Sequence, residues 1–450
     1  MKPLLHNKII IGAIAAVSFL PNIINAQEAV TLNQAVATAI SQHPALRSSE
    51  LDLQIAEIQL TSEKSSRIPE ISSGLSVQRN LIIPSTPVPL AIISGQGDPD
   101  ELTYIKFGTD WQSNVGLSLS YDIFNPARKQ QIISGEEQRK LAEIDLKAKK
   151  VSVRIDVTKA YAELVLASAQ LEYALEDTVF NHRVLMVAKD QDSLGQINEK
   201  QLNDSRLRLN QSLSRYSQTK KVYEQARIDL AYYMGLQYNY ASLPVAADNL
   251  EKLFKSLEAE ALKVPLAKTS SDYARLQTQM QYDSLQLSNI RRMMLPTISL
   301  IGNYGSNFYQ NQFNPFNTSN WYGNSYVALS LNIPITKNIA THYNISKTRL
   351  QLDRLSEDIK DFNNRRKSDI QKITMDINQS RAEMVKKEHE IKLEEENLNT
   401  ATEQFNAGRL LPNNLQQEQL SLQSARIAYL QASYDYIIAL LNLRELTASE

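Results

Sequence analysis

The sequence predicts a mainly α-helical protein that is built twice from one long unit and contains four short strands. Three observations predict this fold class: an apolar heptad series that recurs in both halves, long segments free of helix-breaking residues, and four short segments in which apolar and polar residues alternate. An apolar residue at every seventh position is typical of a helix packed in a coiled coil. Alternation with a period of two is typical of a strand with two different faces.

The chain begins with a segment that has the features of a secretory signal peptide. Lys2 and Lys8 precede an apolar run, and Ala26 is a small residue suited to cleavage. The apolar run is shorter than the roughly 18 residues that a membrane-spanning helix needs. We therefore predict a signal peptide over residues 1–26 and an exported mature chain.

The composition excludes several classes of protein. The chain contains 48 Lys and Arg against 49 Asp and Glu, a formal net charge of −1, and so has no basic surplus for binding nucleic acid. It has no cysteine, so we expect no disulfide, no thiolate metal site and no lipid anchor on a cysteine. After the signal segment no apolar run approaches about 18 residues, so any membrane segment must consist of strands.

The duplicated unit is most evident in two heptad series separated by 213 positions, as from Leu202 to Leu415. The two series are Leu202, Leu209, Tyr216, Tyr223 and Leu230, and Leu415, Leu422, Tyr429, Tyr436 and Leu443. A structural coiled coil alone could produce heptads, but the same series written twice favours two copies of one unit. We predict a first repeat over residues 27–240, an inter-repeat linker over 241–265 and a second repeat over 266–450.

Long helices are predicted where helix-breaking residues are missing. No proline occurs between Pro126 and Pro244, and neither proline nor glycine occurs between Pro334 and Gly408. A helix from near Pro126 to near Gly195 would be about 100 Å long. Gly195 and Gly408 each lie between two helical segments, so each is predicted to mark the tip of an antiparallel hairpin.

The four alternating segments are predicted to form two pairs of strands, 70–80 with 114–124 and 297–305 with 326–335. Their length of about ten residues suits strands that cross a lipid layer. A small soluble sheet packed on helices would alternate in the same way. The intervening loops, 81–113 with four prolines and 306–325 with many aromatic residues, favour the membrane alternative.

With these elements the chain resembles the TolC family of outer-membrane efflux proteins over essentially the whole mature sequence. The resemblance is carried by the opening helix TLNQAVATAISQHPAL, the two strand pairs, the glycine tips in DSLGQI and FNAGRL, and the duplicated heptad helices. It implies a homotrimer in which each copy gives four strands to one twelve-stranded membrane β-barrel, while the helical hairpins form a tube through the periplasm. The implied location is the outer membrane of a Gram-negative bacterium, in contact with its lipid.

The resemblance further implies a passive exit duct of a tripartite efflux or type I secretion system. A periplasmic adaptor protein would open the duct at the helical tips, and an inner-membrane pump would supply the energy. The implied adaptor contacts are the residues of the two tips: Leu194, Gly195, Gln196, Gly408, Arg409 and Leu410. The implied periplasmic gate consists of Gln201, Asp204, Phe405, Asn414 and Gln417.

The gate positions depart from the family pattern in their charge. Family members carry acidic residues six and nine positions after the second tip glycine, where this chain has Asn414 and Gln417. The first repeat has Gln201 and Asp204 at the equivalent places, so an acidic ring would depend on Asp204 alone. Phe405 stands where the family often has an aromatic residue near the constriction, and packing within its own hairpin is the alternative.

Catalytic and metal-binding patterns are not evident in the sequence. The S-x-x-K motif from Ser217 to Lys220 has no companion motif, and the histidines share no metal-ligand spacing. We therefore predict no enzyme activity, no cofactor and no metal. The competing hypothesis is a periplasmic coiled-coil adaptor or tether with a soluble sheet. An adaptor normally has one helical hairpin, whereas this sequence predicts two.

Overall fold

The computed structural model describes residues 29–95, 100, 102–237, 243–261, 270–335 and 337–447. The predicted signal peptide, residues 1–26, lies outside this part of the chain. Contacts between Cα atoms divide the chain into two compact units. Unit 1 consists of Met1–Ala39, Val157–Phe254 and Glu390–Leu430, and unit 2 consists of Ile40–Asp156, Lys255–His389 and Gln431–Glu450.

Most of the described chain is helical. The α-helices are α1 (Leu32–Gln42), α2 (Pro44–Ser65), α3 (Leu90–Ser94), α4 (Pro126–Ser193), α5 (Glu199–Tyr233), α6 (Leu250–Ala261), α7 (Ser271–Ile290), α8 (Lys337–Asn406) and α9 (Pro412–Thr447). The two longest, α4 and α8, have 68 and 70 residues and coincide with the segments that lack internal proline. Proline is tolerated at the start of α4 and α9 because the first backbone N–H groups of a helix have no partner within the helix.

The strands are β1 (Ala29–Val30), β2 (Glu70–Arg79), β3 (Ser85–Pro89), β4 (Leu102–Lys106), β5 (Trp111–Phe124), β6 (Val245–Ala246), β7 (Thr297–Gln310) and β8 (Trp321–Asn332). In unit 2, four of them form one antiparallel sheet in the order β2-β5-β7-β8. These are the four segments in which the sequence alternates. Strands β2 and β8 are the two edges of this sheet. Each of them pairs with another strand of the sheet on one side only.

Two segments contain more regular structure than the sequence analysis expected. The proline-rich loop 81–113 holds the antiparallel pair β3-β4, and Pro87 and Pro89 are tolerated there because β3 pairs on one side only. The expected linker 241–265 holds β6 and the amphipathic helix α6. Leu253 and Leu257 of α6 are buried, because apolar residues four positions apart share one helical face.

In unit 1, the segment that leads into α1 is held by Tyr161 in the middle of α4. Its side chain is fully buried, and its hydroxyl oxygen lies 2.8 Å from Oδ2 of Asp248 and 2.9 Å from the carbonyl oxygen of Val30. Oδ2 of Asp248 also accepts the N–H of Leu32, the first residue of α1, at 3.1 Å. Burial and the nearby Asp248 raise the pKa of Tyr161, so its hydroxyl stays a hydrogen-bond donor.

Candidate functional site

The two helical tips in unit 1 have the same backbone geometry. At the first tip, the N–H of Gly195 bonds to the carbonyl of Asp192 at 2.9 Å and that of Gln196 to the carbonyl of Gln191 at 2.8 Å. At the second tip, Gly408 bonds to Phe405 and Arg409 to Gln404 at the same two distances. Both glycines have φ of 71°. This pair of bonds is the Schellman motif, which ends a helix with a residue in the left-handed region.

The six residues predicted to contact an adaptor lie at these tips, and most of them are exposed. Leu194 exposes 71% of its side chain, and a Cβ atom added at Gly195 or Gly408 would meet no atom within 4 Å. Gln196 and Arg409 are exposed, whereas Leu410 is half-buried against the apolar cluster of the second hairpin. A single exposed leucine is ordinary on a protein surface, so a role of these residues in adaptor binding stays a prediction.

Two of the predicted gate residues form hydrogen bonds near the start of α5. Gln201 forms a capping box with Asn198: the N–H of Gln201 donates to Oδ1 of Asn198 at 3.0 Å, and Oε1 of Gln201 accepts the N–H of Asn198 at 2.9 Å. One turn later, Oδ2 of Asp204 accepts a hydrogen bond from Nδ2 of Asn413 at 3.1 Å. Asn413 lies in the first turn of α9, so this bond joins the two hairpins beside their tips.

The other three predicted gate residues lie in the second hairpin. Phe405 exposes only 4% of its surface and packs with Ala401 and Leu415 of its own hairpin and with Val184 of α4 in the other hairpin. A role at the constriction stays a prediction. Asn414 and Gln417 are exposed on α9. Asn413, which the sequence analysis did not single out, is the residue of this segment that reaches Asp204.

A buried carboxylate joins three helices further from the tips. Asp177 of α4 has a side chain that is only 3% exposed. Its Oδ1 accepts from Nε2 of Gln419 on α9 at 3.3 Å and from Nδ2 of Asn181 at 3.0 Å, and its Oδ2 lies 3.4 Å from Nη1 of Arg215 on α5. Burial raises the pKa of Asp177, while these donors and the charge of Arg215 oppose that rise.

The polar contacts between α4 and α9, which we call the polar seam, include two more residues of α9. Nε2 of Gln423 donates to the backbone carbonyl of Tyr173 at 3.3 Å. Arg426 lies over the ring of Tyr173, with its guanidinium carbon 4.5 Å from the ring centre, and pairs with Glu176 at 2.7 Å and Glu395 at 3.2 Å. Because Glu395 belongs to α8, Arg426 joins three helices.

These seam residues could not be found from the heptad pattern alone. A heptad marks which side of a helix is apolar, but it does not tell which of several helices lies opposite. The one available signal was a row of long polar side chains on α9, Gln416, Gln419, Gln423 and Arg426, at the three- and four-residue spacing of one helical face. The first three are buried, and neither polar atom of the Gln416 side chain has a hydrogen-bond partner among the described residues.

The second candidate surface is the four-stranded sheet in unit 2, whose two faces differ. Directly paired residues of neighbouring strands point to the same face, and the register pairs Gly74 with Gly116 and Gly116 with Gly305. The face that contains this glycine row is otherwise rich in hydroxyl and amide groups: Ser72, Ser76, Gln78, Asn114, Ser118, Asn303, Asn307 and Asn324. Its only charged residues within the four strands are Glu70 and Asp122, at the end of the sheet nearest the helices.

The opposite face of the sheet is apolar and exposed. Ile71 and Leu75 of β2 each expose 70%, and Val327 and Leu329 of β8 expose 76% and 67%. On the polar face, Ser72 and Ser118 are hydrogen-bonded at 2.7 Å, and Nδ2 of Asn114 donates to Oδ1 of Asn307 at 2.6 Å. A sheet face that exposes apolar side chains on both of its edge strands is typical of a surface that contacts lipid or another protein.

No group of three His, Cys, Asp or Glu side chains among the described residues is arranged to hold a metal ion. In the same part of the chain, no helix combines the length and the hydropathy needed to span a membrane.

Comparisons with known proteins agree with the predicted fold. The family model described as outer membrane efflux protein matches residues 35–236. No curated protein matches the chain significantly. The CmeC outer membrane channel of Campylobacter jejuni is similar in structure, with a TM-score of 0.70, 17% identity and coverage of 92% of this chain and 85% of CmeC.

Two further solved structures of outer membrane proteins are similar to this chain. The outer membrane protein VceC of Vibrio cholerae has a TM-score of 0.66 at 13% identity and covers 92% of this chain and 95% of its own. The open state of the MtrE outer membrane channel of Neisseria gonorrhoeae has a TM-score of 0.65 at 17% identity, with 92% and 88% covered. The predicted fold class is thereby confirmed.

Proposed function

We propose that this chain is a passive exit duct that an adaptor opens and a pump powers. Its first half matches the outer membrane efflux protein model, and its fold is similar to that of outer membrane channels. The family match and the structural neighbours support the outer-membrane efflux duct itself. The adaptor, the inner-membrane pump, and an assembly of three copies extending into the periplasm are the finer parts of the proposal.

The observation that carries the proposal is the two-faced sheet with unpaired edges. Backbone N–H and C=O groups at a sheet edge have no partner in lipid, so a four-stranded sheet must be completed by other strands. Strand β8 of one copy would pair with β2 of the next, and three copies would supply twelve strands. The exposed apolar face would then contact lipid, and the face with serine, asparagine and glycine would line a water-filled passage.

The helical tips supply the proposed gate and the proposed adaptor contact. Exposed Leu194, Gln196 and Arg409, with the two tip glycines and Leu410, would meet a periplasmic adaptor. The link between Asp204 and Asn413 joins the hairpins at this end, so opening requires that link to break or shift. Gln201 lies in the first turn of α5, Asn414 and Gln417 lie in the first two turns of α9, and Phe405 lies in the last turn of α8. Energy would come from the pump, and no residue of this chain need react chemically.

The test is conductance of the purified mature protein in planar lipid bilayers, together with its native mass in detergent. The proposal predicts a trimer that needs detergent to stay in solution and inserts in discrete conducting steps. A variant with Leu329 and Val327 both replaced by arginine should remain helical but fail to insert, because an arginine on the lipid-facing side of a strand costs about 2–4 kcal/mol near the middle of the bilayer. A wild-type protein that is monomeric, soluble without detergent and unable to conduct would contradict the duct and favour a periplasmic tether.

A further inference from the structure

The polar face of the four-stranded sheet also presents three exposed tyrosine rings. They belong to Tyr309 of β7 and to Tyr322 and Tyr326 of β8, which expose 43%, 57% and 53% of their surface. The register pairs Tyr322 with Asn307 and Tyr326 with Asn303. Both rings therefore lie on the face that carries the asparagine side chains. The rings of Tyr309 and Tyr322 are neighbours, with their centres 6.5 Å apart. The aromatic rings thus gather on the β7–β8 side of this face.

Gly305 lies at the centre of this aromatic part of the sheet. It pairs directly with Asn324, and Tyr322 and Tyr326 are its diagonal neighbours, two positions to either side on β8. Diagonal neighbours lie about 7–8 Å apart, which is within reach of an aromatic side chain. A Cβ atom at Gly305 would lie 2.6 Å from the carbonyl oxygen of Val115, so the close approach of β5 requires glycine. The strands leave a backbone floor without a side chain between two tyrosines.

Two side-chain amides complete the polar part of this site. Asn324 lies opposite Gly305, and Asn303 lies two residues before Gly305 on β7. Neither side-chain amide forms a hydrogen bond among the described residues. In contrast, the next amide along β7, Asn307, is already bonded to Asn114 at 2.6 Å. Each free amide offers two N–H donors and one acceptor oxygen, a combination that suits hydroxyl groups because they both donate and accept.

The surroundings of this site carry no charge. The three rows of paired residues from Tyr326 to Tyr322 consist, across all four strands, of serine, asparagine, glycine and tyrosine on this face. Glu70 and Asp122 lie outside these rows, toward the helices, and Asp122 pairs with Arg128 at 3.9 Å. A cation between the rings would have no carboxylate beside it and would leave the amide donors unused. A neutral ligand rich in hydroxyl groups uses the rings and the amides together.

We propose that the site around Gly305 binds a neutral saccharide in the passage of the duct. Its contacts to the ligand come from Tyr322, Tyr326, Asn303 and Asn324. A sugar ring has an apolar face of C–H groups, which stacks on tyrosine, and hydroxyl groups at its edge, which bond to amides. This inference rests on the proposed duct and adds a class of substrate for it, a saccharide or a glycosylated compound.

The test is saturation-transfer NMR of the detergent-solubilised protein with maltotetraose and cellotetraose, two neutral saccharides that differ in their linkage. Lauryldimethylamine oxide is the detergent because it has no sugar headgroup, and empty micelles are the blank. Irradiation of aromatic protein protons reaches a bound saccharide only through the protein, since the saccharide has no aromatic protons. The experiment needs no conduction, so it is independent of the test of the duct.

The site predicts transfer of saturation from the wild-type protein to the ring protons of at least one of the two saccharides. Tyr322→Leu combined with Tyr326→Leu should lower the apparent affinity about ten-fold or more, whereas Tyr326→Phe, which keeps the ring, should change it by less than about two-fold. Asn324→Leu should lower it about two- to ten-fold, the effect of one hydrogen bond. Tyr304→Leu is the matched control, because Tyr304 is 73% exposed on the opposite face of β7.

The outcomes separate the saccharide site from the duct. A wild-type trimer that conducts but transfers saturation to neither saccharide would overturn the site and leave the duct standing. An equal loss of affinity in Tyr304→Leu would also overturn it, because the contact would then not belong to the polar face. Transfer to tetraethylammonium but to neither saccharide would assign the rings to cations and overturn the proposal. Transfer that requires Tyr322 and Tyr326, in a protein that is monomeric and does not conduct, would support the site and contradict the duct.

Discussion

The side-chain amide of Asn413 donates a hydrogen bond to the carboxylate of Asp204, 3.1 Å away, and so joins the first turn of α9 to the second turn of α5. The sequence places these residues 209 positions apart. Asp204 is the one acidic residue among the predicted gate positions. A charged hydrogen bond between the two hairpins is therefore located where the gate was expected.

The first prediction concerns this bond. Asp204→Ala and Asn413→Ala should each raise the conductance of the resting channel, because each removes the same constraint on the tips. The double variant should conduct no more than the stronger single variant, since the two residues act through one contact. Single-channel recording in planar bilayers measures this, with Asn210→Ala as the control at an exposed asparagine of α5 outside the predicted gate. An equal effect of Asn210→Ala would argue against the link as a gate.

The second prediction concerns the tip glycines. Gly195→Trp and Gly408→Trp should abolish export, whereas Gly195→Ala and Gly408→Ala should retain most of it. All four variants bear the cost of about 1–2 kcal/mol for a left-handed non-glycine residue, but only tryptophan blocks the surface. Survival of the host strain on a panel of toxic compounds, compared with a strain that lacks the gene, measures export. Wild-type survival of both tryptophan variants would refute the adaptor contact.

The third prediction concerns pH. Glu137 of α4 in unit 2 is only 8% exposed, and its Oε1 has no hydrogen-bond partner among the described residues. Burial and the nearby Asp283 raise its pKa from 4.5 to about 7. Because the folded-state pKa is the higher one, the stabilising contribution is complete below about pH 4.5 and is lost as the pH rises through about 7.

Glu137→Gln should therefore stabilise the protein at pH 8, by about 1–3 kcal/mol, and change little at pH 4.5, where the native carboxyl is already protonated. Thermal unfolding followed by circular dichroism at both pH values measures the effect. Glu136→Gln is the matched control because Glu136 is the exposed neighbour on the same helix. A stabilisation that is the same at both pH values would contradict the account of Glu137.

The fourth prediction concerns Tyr161. Tyr161→Phe keeps the buried ring but removes the hydroxyl that contacts Val30 and Asp248. Leaving these buried polar groups without a partner should cost about 1–3 kcal/mol of unfolding free energy. Tyr216→Phe, on a half-buried tyrosine of α5, should change it by less than about 0.5 kcal/mol. Equal effects of the two substitutions in chemical unfolding would show that the Tyr161 hydroxyl does not anchor the segment before α1.

The sequence predicted the long elements well because their signals are repeated many times along the chain. The absence of proline between Pro126 and Pro244 and the glycine at each tip defined the hairpins, and alternation located the four strands. Strand β8 begins at Trp321, five residues before its expected start, because the aromatic run after the loop pairs with β7 although it does not alternate. Strand β3 was missed because its prolines are atypical of strands.

The polar seam of the site could not be predicted in the same way. Asp177 interrupts an apolar pattern, and a single charge on a long helix is usually solvated. Its partners Gln419 and Arg215 are distant in sequence and lie on two different helices. Heptads determine the face of each helix but not the order of the helices, and only that order brings the three side chains together.

The most direct test of the account is electron microscopy of the detergent-extracted mature protein. The account predicts particles with three-fold symmetry around a central passage, in which strand β8 of each copy lies beside β2 of the next. Particles that contain a single copy and remain dispersed without detergent would contradict the duct and favour a periplasmic tether.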